Sequence, residues 1–126
     1  MSAFAATLMI VFAQSGPVVV TAGQDCALAR AELAAGEDAA ALARLERCDS
    51  AGLRDPAVQI NHAVALARTG DVDAARDAFQ AAARNAERFE LETVAGEWVD
   101  SRVLARRGLA MLDDGDFGST RALAVR

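Results

Sequence analysis

Apolar residues in the middle of the chain recur at helical spacing behind a glycine. Within residues 70–89, four apolar side chains lie three or four positions apart, which is the spacing of one face of an α-helix. This stripe consists of Val72, Ala75, Phe79 and Ala82. Gly70 precedes the stripe and permits the tight backbone on which a helix ends. The pattern therefore predicts one helix that ends near Gly70 and a second, amphipathic helix after it.

The same arrangement occurs earlier in the chain at a fixed distance. Gly36 lies 34 residues before Gly70, and three further pairs keep that separation. These pairs are Ala41 with Ala75, Leu45 with Phe79, and Cys48 with Ala82. A fixed period indicates helical hairpins that stack on one another and share a core. We expect the small Ala75 where a facing helix comes close, and the large Phe79 in the space between neighbouring units.

Segment 56–89 resembles a tetratricopeptide repeat, a helix–turn–helix unit whose period is also about 34 residues. The matching residues are Ala63, Leu66, Gly70, Val72, Ala75, Phe79 and Ala82. Segment 22–55 resembles a degenerate first repeat, which departs from the pattern at Glu32 and Asp38. Segment 101–126 resembles a partial third repeat and carries Leu104, Gly108, Met111, Gly115 and Phe117. The resemblance implies an all-α fold for residues 23–126, a right-handed superhelix of about three helical hairpins.

Eleven residues, 90–100, separate the second and third units. Alternation of apolar and acidic residues in 89–93 predicts a strand, and Gly96 marks a turn. We expect a β-hairpin or an extended loop here. An isolated hairpin is marginally stable, so Phe89 and Trp98 are expected to pack on the helices. The same two aromatic residues are the candidate interface residues of the chain.

Aspartates in front of the predicted helices are candidates for N-caps, because their side chains accept hydrogen bonds from the first free amides. Asp55 precedes Pro56, a residue suited to the first helical position. Asp71 or Asp73 is expected to cap the next helix, and Asp100 or Ser101 the helix after the insertion.

The first 24 residues carry no charged side chain. An apolar run at 3–13 is followed by small residues up to Ala22, which is typical of a secretory signal peptide, although a basic residue is missing before the run. We therefore expect residues 1–22 to be a signal peptide and the protein to be periplasmic or secreted. The alternative is an uncleaved anchor in the inner membrane, although the run is shorter than the roughly 20 apolar residues of a membrane span.

The chain has two cysteines, Cys26 and Cys48. The predicted helices that carry them are antiparallel and bring them to the same end, so a disulfide is expected. Closing a loop of about 20 residues stabilises a fold by roughly 3 kcal/mol, and such bonds persist in oxidising compartments. The alternative is two buried thiols. A redox-active pair is less favoured, because the two cysteines lack C-x-x-C spacing.

Charge and chemistry narrow the function classes. The net charge of −5 disfavours a nucleic-acid partner, since phosphate binding needs clustered positive charge. The single histidine, His62, has no cysteine or carboxylate at ligand spacing. We expect it to be partly buried and hydrogen-bonded within its repeat rather than to bind a metal. No nucleophile–base set is visible in the sequence, so we expect no catalytic residues, no cofactor and no enzyme.

The resemblance implies that the first helix of each unit lines a concave groove. The candidate partner-binding residues there are Arg30, Ile60, Val64, Arg68 and Arg102. Three arginines beside an apolar strip suit a peptide with acidic groups, although arginines on such a face also pair with acids of their own chain.

These observations predict a non-catalytic protein–protein interaction module of the bacterial cell envelope that binds a peptide or protein partner through the groove. A homodimer through Trp98 and the last helix is a further expectation. The alternatives are a membrane-tethered assembly component that keeps its N-terminal anchor and, less favoured, a small thiol redox protein.

Overall fold

The structure, a computed structural model, describes residues 28–119. This part of the chain is mostly helical with one small sheet, as the sequence predicts. The helices are α1 (Arg30–Ala35), α2 (Asp38–Leu45), α3 (Pro56–Arg68), α4 (Val72–Arg84) and α5 (Ser101–Asp114). The strands β1 (Glu90–Glu92) and β2 (Trp98–Asp100) lie between α4 and α5, and two 3₁₀-helices span Gly52–Arg54 and Asp116–Ser119. The expected signal peptide and Cys26 lie outside the described residues, as does the end of the third unit.

The helices form three successive units, which we call the first unit (α1 and α2), the second unit (α3 and α4) and the third unit (α5 with the 3₁₀-helix Asp116–Ser119). The first two units turn at Gly36 and Gly70, whose φ angles of 76° and 93° are left-handed. In both turns the glycine amide donates to the carbonyl three residues earlier, and the next amide donates to the carbonyl five residues earlier. This is the Schellman end of a helix. The 34-residue period of the sequence is therefore present in the backbone hydrogen bonds.

Aspartate N-caps begin the three long helices. The Asp55 side chain accepts a hydrogen bond of 2.8 Å from the Ala57 amide at the start of α3, with Pro56 at the first helical position. Asp71 caps α4, and Asp100 caps α5 through two amides. The predicted caps are confirmed, and where two candidates were open the structure selects Asp71 and Asp100. By contrast, neither α1 nor α2 has a side-chain cap hydrogen bond.

Helix α3 lies at the centre of the described part and contacts all four other helices. The stripe on α4 faces the core: Ala75, Phe79 and Ala82 are fully buried. Val72, at the first position of α4, is largely exposed, so the predicted stripe is one residue too long.

Phe79 joins the second unit to the third. Its ring lies 5.6 Å from the Phe117 ring, measured between centroids. Across the interface Gly108 lies so close that a Cβ there would come within 2.3 Å of Phe79 Cε1. The expectation that Phe79 fills the space between neighbouring units is confirmed, and Gly108 is the residue that makes room for it.

Polar contacts attach the first unit to α3. The Asn61 side chain is fully buried, and its Nδ2 donates to the Leu28 carbonyl at 2.6 Å.

Within the first unit, Arg44 Nη1 lies 2.6 Å from Glu32 Oε1. This hydrogen bond is the main reason why the pKa of Glu32 lies below its ordinary value. Glu32, a departure from the repeat pattern, is thus held by an arginine of the neighbouring helix.

Strands β1 and β2 form an antiparallel hairpin in which Glu90 pairs with Asp100, Leu91 with Val99, and Glu92 with Trp98. The turn includes Gly96, with a φ of 84°. Of the β-hairpin and the extended loop expected for 90–100, the structure has the hairpin. No helix among residues 28–119 combines the length and the apolar character of a membrane span.

Candidate functional site

Arg68, a candidate groove residue, lies in the interior of the protein. Its side chain is 6% exposed. Nη1 donates to the Leu33 carbonyl at 3.0 Å and to Asp38 Oδ1 at 3.2 Å. Asp38, the second departure from the repeat pattern, therefore binds an arginine of the next unit. The prediction that Arg68 lines an open groove is wrong, because its guanidinium links the first two units.

The apolar part of the predicted groove is also covered. Ile60 and Val64 are fully buried. Helix α3 contacts the other four helices, so these two side chains belong to the core and the expectation that they contact a partner is not supported. Arg102 is engaged as well, since its Nε and Nη2 donate to the Asn85 carbonyl at 3.1 Å and 2.7 Å. Arg30 is the exposed member of the predicted set.

The hairpin carries the most exposed large apolar side chains of the described residues. Trp98 is 64% exposed and Phe89 48% exposed. The expectation that these two side chains pack on the helices is therefore wrong. Val99 occupies the buried position in β2, and strand alternation then turns its neighbour Trp98 away from the core. The candidate interface residues Phe89 and Trp98 are thus accessible to a partner.

The opposite face of the hairpin is anchored to the helical body. Thr93, Val99 and Ser101 are buried on this face. Val99 belongs to the hydrophobic core that the helices share. Within the hairpin, the Thr93 amide donates to the Glu97 carbonyl at 2.8 Å, and the Ser101 amide donates to the Phe89 carbonyl at 2.8 Å. The hairpin runs directly into α5, whose cap Asp100 is the last residue of β2. Trp98 therefore projects from a hairpin whose other face is buried against the helices.

We call the outer face of the hairpin, formed by Glu90, Glu92, Trp98 and Asp100, the Trp98 face. Asp100 is paired with Arg88, and this pairing lowers the pKa of the Asp100 carboxyl. At the turn, Arg107 lies 3.1 Å from Glu97. Trp98 is among the residues predicted from the sequence, whereas the glutamates beside it are not. Their signal is the alternation in 89–93, which places both glutamates on one side of the strand.

An open depression of about 580 Å³ lies where the start of α3 meets the end of α4. Asn85 Nδ2 donates across it to the Arg54 carbonyl at 2.7 Å and to Gln59 Oε1 at 2.9 Å. The residues that line it include charges of both signs, Arg54 and Glu87, and three alanines. No nucleophile paired with a base is found among these lining residues.

His62 and the two cysteines are the remaining residues that the sequence analysis discussed for chemistry. His62 is partly buried, and its Nε2 is buried without a hydrogen-bond partner in the described structure, so the expected hydrogen bond is not found at that atom. Burial lowers the pKa of His62. Residues 28–119 contain no cluster suited to a metal ion.

Cys48 is disulfide-bonded. Because Cys26 lies outside the described residues, its pairing with Cys48 stays a prediction.

The chain was compared with protein-family models, curated proteins and solved structures, and none of them matches it.

Proposed function

We propose that the protein is a non-catalytic protein-interaction module built from tetratricopeptide-like helical hairpins that stack as a right-handed superhelix. The support is the shared 34-residue period of the sequence and of the turns. The order of contacts also fits a stack, because α3 packs on both helices of the first unit and α5 packs on both helices of the second. Helical repeats commonly present binding surfaces rather than reaction centres.

The contact surface in this proposal is the hairpin rather than the groove. The observation that carries it is the 64% exposure of Trp98 on a hairpin whose reverse side is buried. Tryptophan is enriched among the residues that dominate binding energy at interfaces. An anchor on a fixed support loses little conformational freedom on binding, so more of its contact energy becomes affinity.

The test compares two exposed apolar side chains. The variant Trp98→Ala removes the proposed anchor, and Leu53→Ala removes a side chain that is 42% exposed on a 3₁₀-helix. Both changes are at the surface and should alter the free energy of unfolding by less than about 0.5 kcal/mol. Proteins captured from an extract of the source cells by the wild type should be lost with Trp98→Ala and kept with Leu53→Ala. Capture that survives Trp98→Ala would contradict the proposal.

We also propose that the module works in the periplasm or outside the cell. The support is the disulfide at Cys48, because disulfides persist in oxidising compartments and are rare in the cytosol. The intact mass of the protein, expressed in bacteria from its own start and measured without reductant, tests this. Loss of residues 1–22 together with two hydrogens would support export and the Cys26–Cys48 bond. A full-length mass with a bridge would favour the membrane-tethered alternative, and free thiols would contradict both the bond and export.

A further inference from the structure

We propose that the joint between α2 and α3 is sensitive to pH, and that protonation of His62 loosens the first unit from α3. This inference goes beyond the proposed contact surface, because His62 lies on α3 and not on the hairpin. Histidine is the side chain whose ordinary charge change falls between pH 5 and 8. A histidine at the joint between two units therefore makes their packing depend on acidity.

The ring of His62 is held where its charged form lacks an acceptor. Its Nε2 atom is buried and has no hydrogen-bond partner in the described structure. An imidazolium carries a proton on both ring nitrogens, so protonation leaves a buried charged donor unsatisfied. Such a group is costly to bury. Burial accordingly lowers the pKa of His62 below its ordinary value of 6.5.

The charged group that acts on His62 is Glu46, the residue that follows α2. Its carboxylate favours the imidazolium, but burial has the larger and opposite effect. Among the described residues, the other elements that pack on α3, namely α1, α4, α5 and the two 3₁₀-helices, contribute no charge that acts on this ring. The ring therefore lies close to the end of α2, and the Glu46 carboxylate does not offset the cost of charging it.

The first unit is the part expected to yield when His62 is charged. Its described helices have six and eight residues, and neither has a side-chain cap. Glu46 is exposed, so water lies next to the end of α2, and a small outward movement of this end would hydrate the imidazolium. The second unit is joined to the third by the buried Phe79, an apolar contact on which charge has no direct effect. Local opening of the first unit therefore costs less than global unfolding.

The direction of the pH effect follows from the lowered pKa of His62. The folded state favours the neutral ring, whereas the unfolded chain takes up a proton at the ordinary value of 6.5. The contribution of the neutral ring to stability is therefore complete above pH 6.5, and it is lost as the pH falls from 6.5 through the folded pKa. Mild acid should loosen the joint, and a return to neutral pH should restore it.

A nuclear magnetic resonance titration tests the state of the ring directly. His62 is the only histidine, so its ring signals are identified without assignment. The midpoint should lie below pH 6.5 in the folded protein and at about 6.5 in the chain unfolded by urea. Glu46→Gln removes the carboxylate that favours the imidazolium and should move the folded midpoint further down. A folded midpoint at or above 6.5, or one that Glu46→Gln leaves unchanged or raises, would overturn the inference.

Hydrogen exchange at about pH 7.5 and about pH 5, corrected for the intrinsic effect of pH on amide exchange, tests the loosening. In the wild type, acidification should reduce protection several-fold in α1 and α2 and should change it little in α5. The matched variant His62→Gln keeps a neutral polar side chain and should lose much less protection. Carboxylates that titrate near pH 5 affect both proteins, so the difference between the proteins isolates His62.

Equal losses of protection in the wild type and in His62→Gln would overturn the inference, as would a loss spread equally over all helices. Far-ultraviolet circular dichroism and Tm at neutral pH show whether His62→Gln is folded. The titration of the wild type needs no variant, so the inference stays testable if His62→Gln does not fold. Neither measurement involves Trp98, and the proposed contact surface therefore stands or fails independently.

Discussion

The first and second units have the same turns and the same period, yet they are stabilised differently. In the second unit both helices have 13 residues and begin at an aspartate cap. In the first unit the described helices have six and eight residues, and neither has a side-chain cap. The second unit buries Phe79 where the first buries Leu45. The repeat pattern therefore specifies where the chain turns. The stability of each unit depends on its helix lengths, its caps and the size of its buried side chains.

The first unit is joined to α3 by polar links as well as by its buried side chains. Its two departures from the repeat pattern, Glu32 and Asp38, each bind an arginine. Arg68 of α3 also donates to the Leu33 carbonyl of α1, and Asn61 donates to the Leu28 carbonyl just before α1. A unit that departs from the pattern can thus stay packed on its neighbour when the departing residues find polar partners.

The largest effect on stability is expected from removing the Phe79 side chain, which packs between the second and third units. Phe79→Ala should lower the free energy of unfolding by about 3–5 kcal/mol, because a large buried ring is lost and a cavity is left. Leu45→Ala, at the equivalent position of the first unit, should cost less, about 2–4 kcal/mol. Chemical denaturation measures both. A larger loss for Leu45→Ala would mean that the first unit carries more of the core than its short helices suggest.

Adding one methyl group at the same joint should also destabilise the protein. Gly108→Ala gains about 1 kcal/mol of helix propensity. The new Cβ would lie 2.3 Å from the Phe79 ring, and overpacking of this kind costs about 1–3 kcal/mol. We expect a net loss in Tm, and recovery of most of it in the double variant with Phe79→Leu. A Tm increase for Gly108→Ala alone would contradict this prediction, because it would mean that the second and third units move apart to accommodate the new methyl group.

Removing the link at Arg68 should loosen the first unit selectively. Arg68→Gln breaks the bonds to Leu33 and Asp38, at a cost of about 1–2 kcal/mol. Hydrogen exchange should accelerate in α1 and α2 and change little in α5. The control is Arg30→Gln, an exposed position expected to matter by less than about 0.5 kcal/mol. Equal effects of the two substitutions would contradict the linking role.

Exchanging the caps of the two units should move stability in opposite directions. Glu37 and Asp71 occupy equivalent positions with similar backbone angles, φ −84°, ψ 64° and φ −87°, ψ 75°. Only the shorter aspartate accepts a bond from its helix. Glu37→Asp should therefore stabilise by about 0.5–1 kcal/mol, and Asp71→Glu should destabilise by a similar amount. Thermal unfolding measures both, and a loss with Glu37→Asp would refute the assignment.

The smallest effect concerns pH. The hydrogen bond from Arg44 lowers the pKa of Glu32 below its ordinary value of 4.5. The ionised form is therefore favoured in the folded state, and its contribution is present above pH 4.5 and lost as pH falls through the folded pKa. The stability difference between the wild type and Glu32→Gln, a few tenths of a kcal/mol at pH 6, should shrink as pH falls below 4.5 and Glu32 takes up its proton. The stability of Arg44→Gln should approach that of the wild type over the same pH range. If the curves of unfolding free energy against pH stayed parallel, the Glu32–Arg44 ion pair would not be the cause.

The turns, the caps and the hairpin follow from local chemistry, so they were predictable. Glycine at a left-handed position, aspartate before a helix and the alternation in 89–93 before the turn at Gly96 each act over a few neighbouring residues. The groove was not predictable in the same way. An apolar residue on an inner helix, such as Ile60 or Val64, has the same sequence signal whether it faces a partner or a neighbouring helix.

The amino-acid sequence alone therefore establishes a helical repeat with a 34-residue period, its turns and an inserted hairpin. The tertiary structure decides which side chains remain available. It buries Arg68 beside Asp38 across 30 residues of chain, and it exposes Trp98 because Val99 takes the inward position. Periodicity is a property of nearby residues, whereas exposure depends on which distant elements pack together.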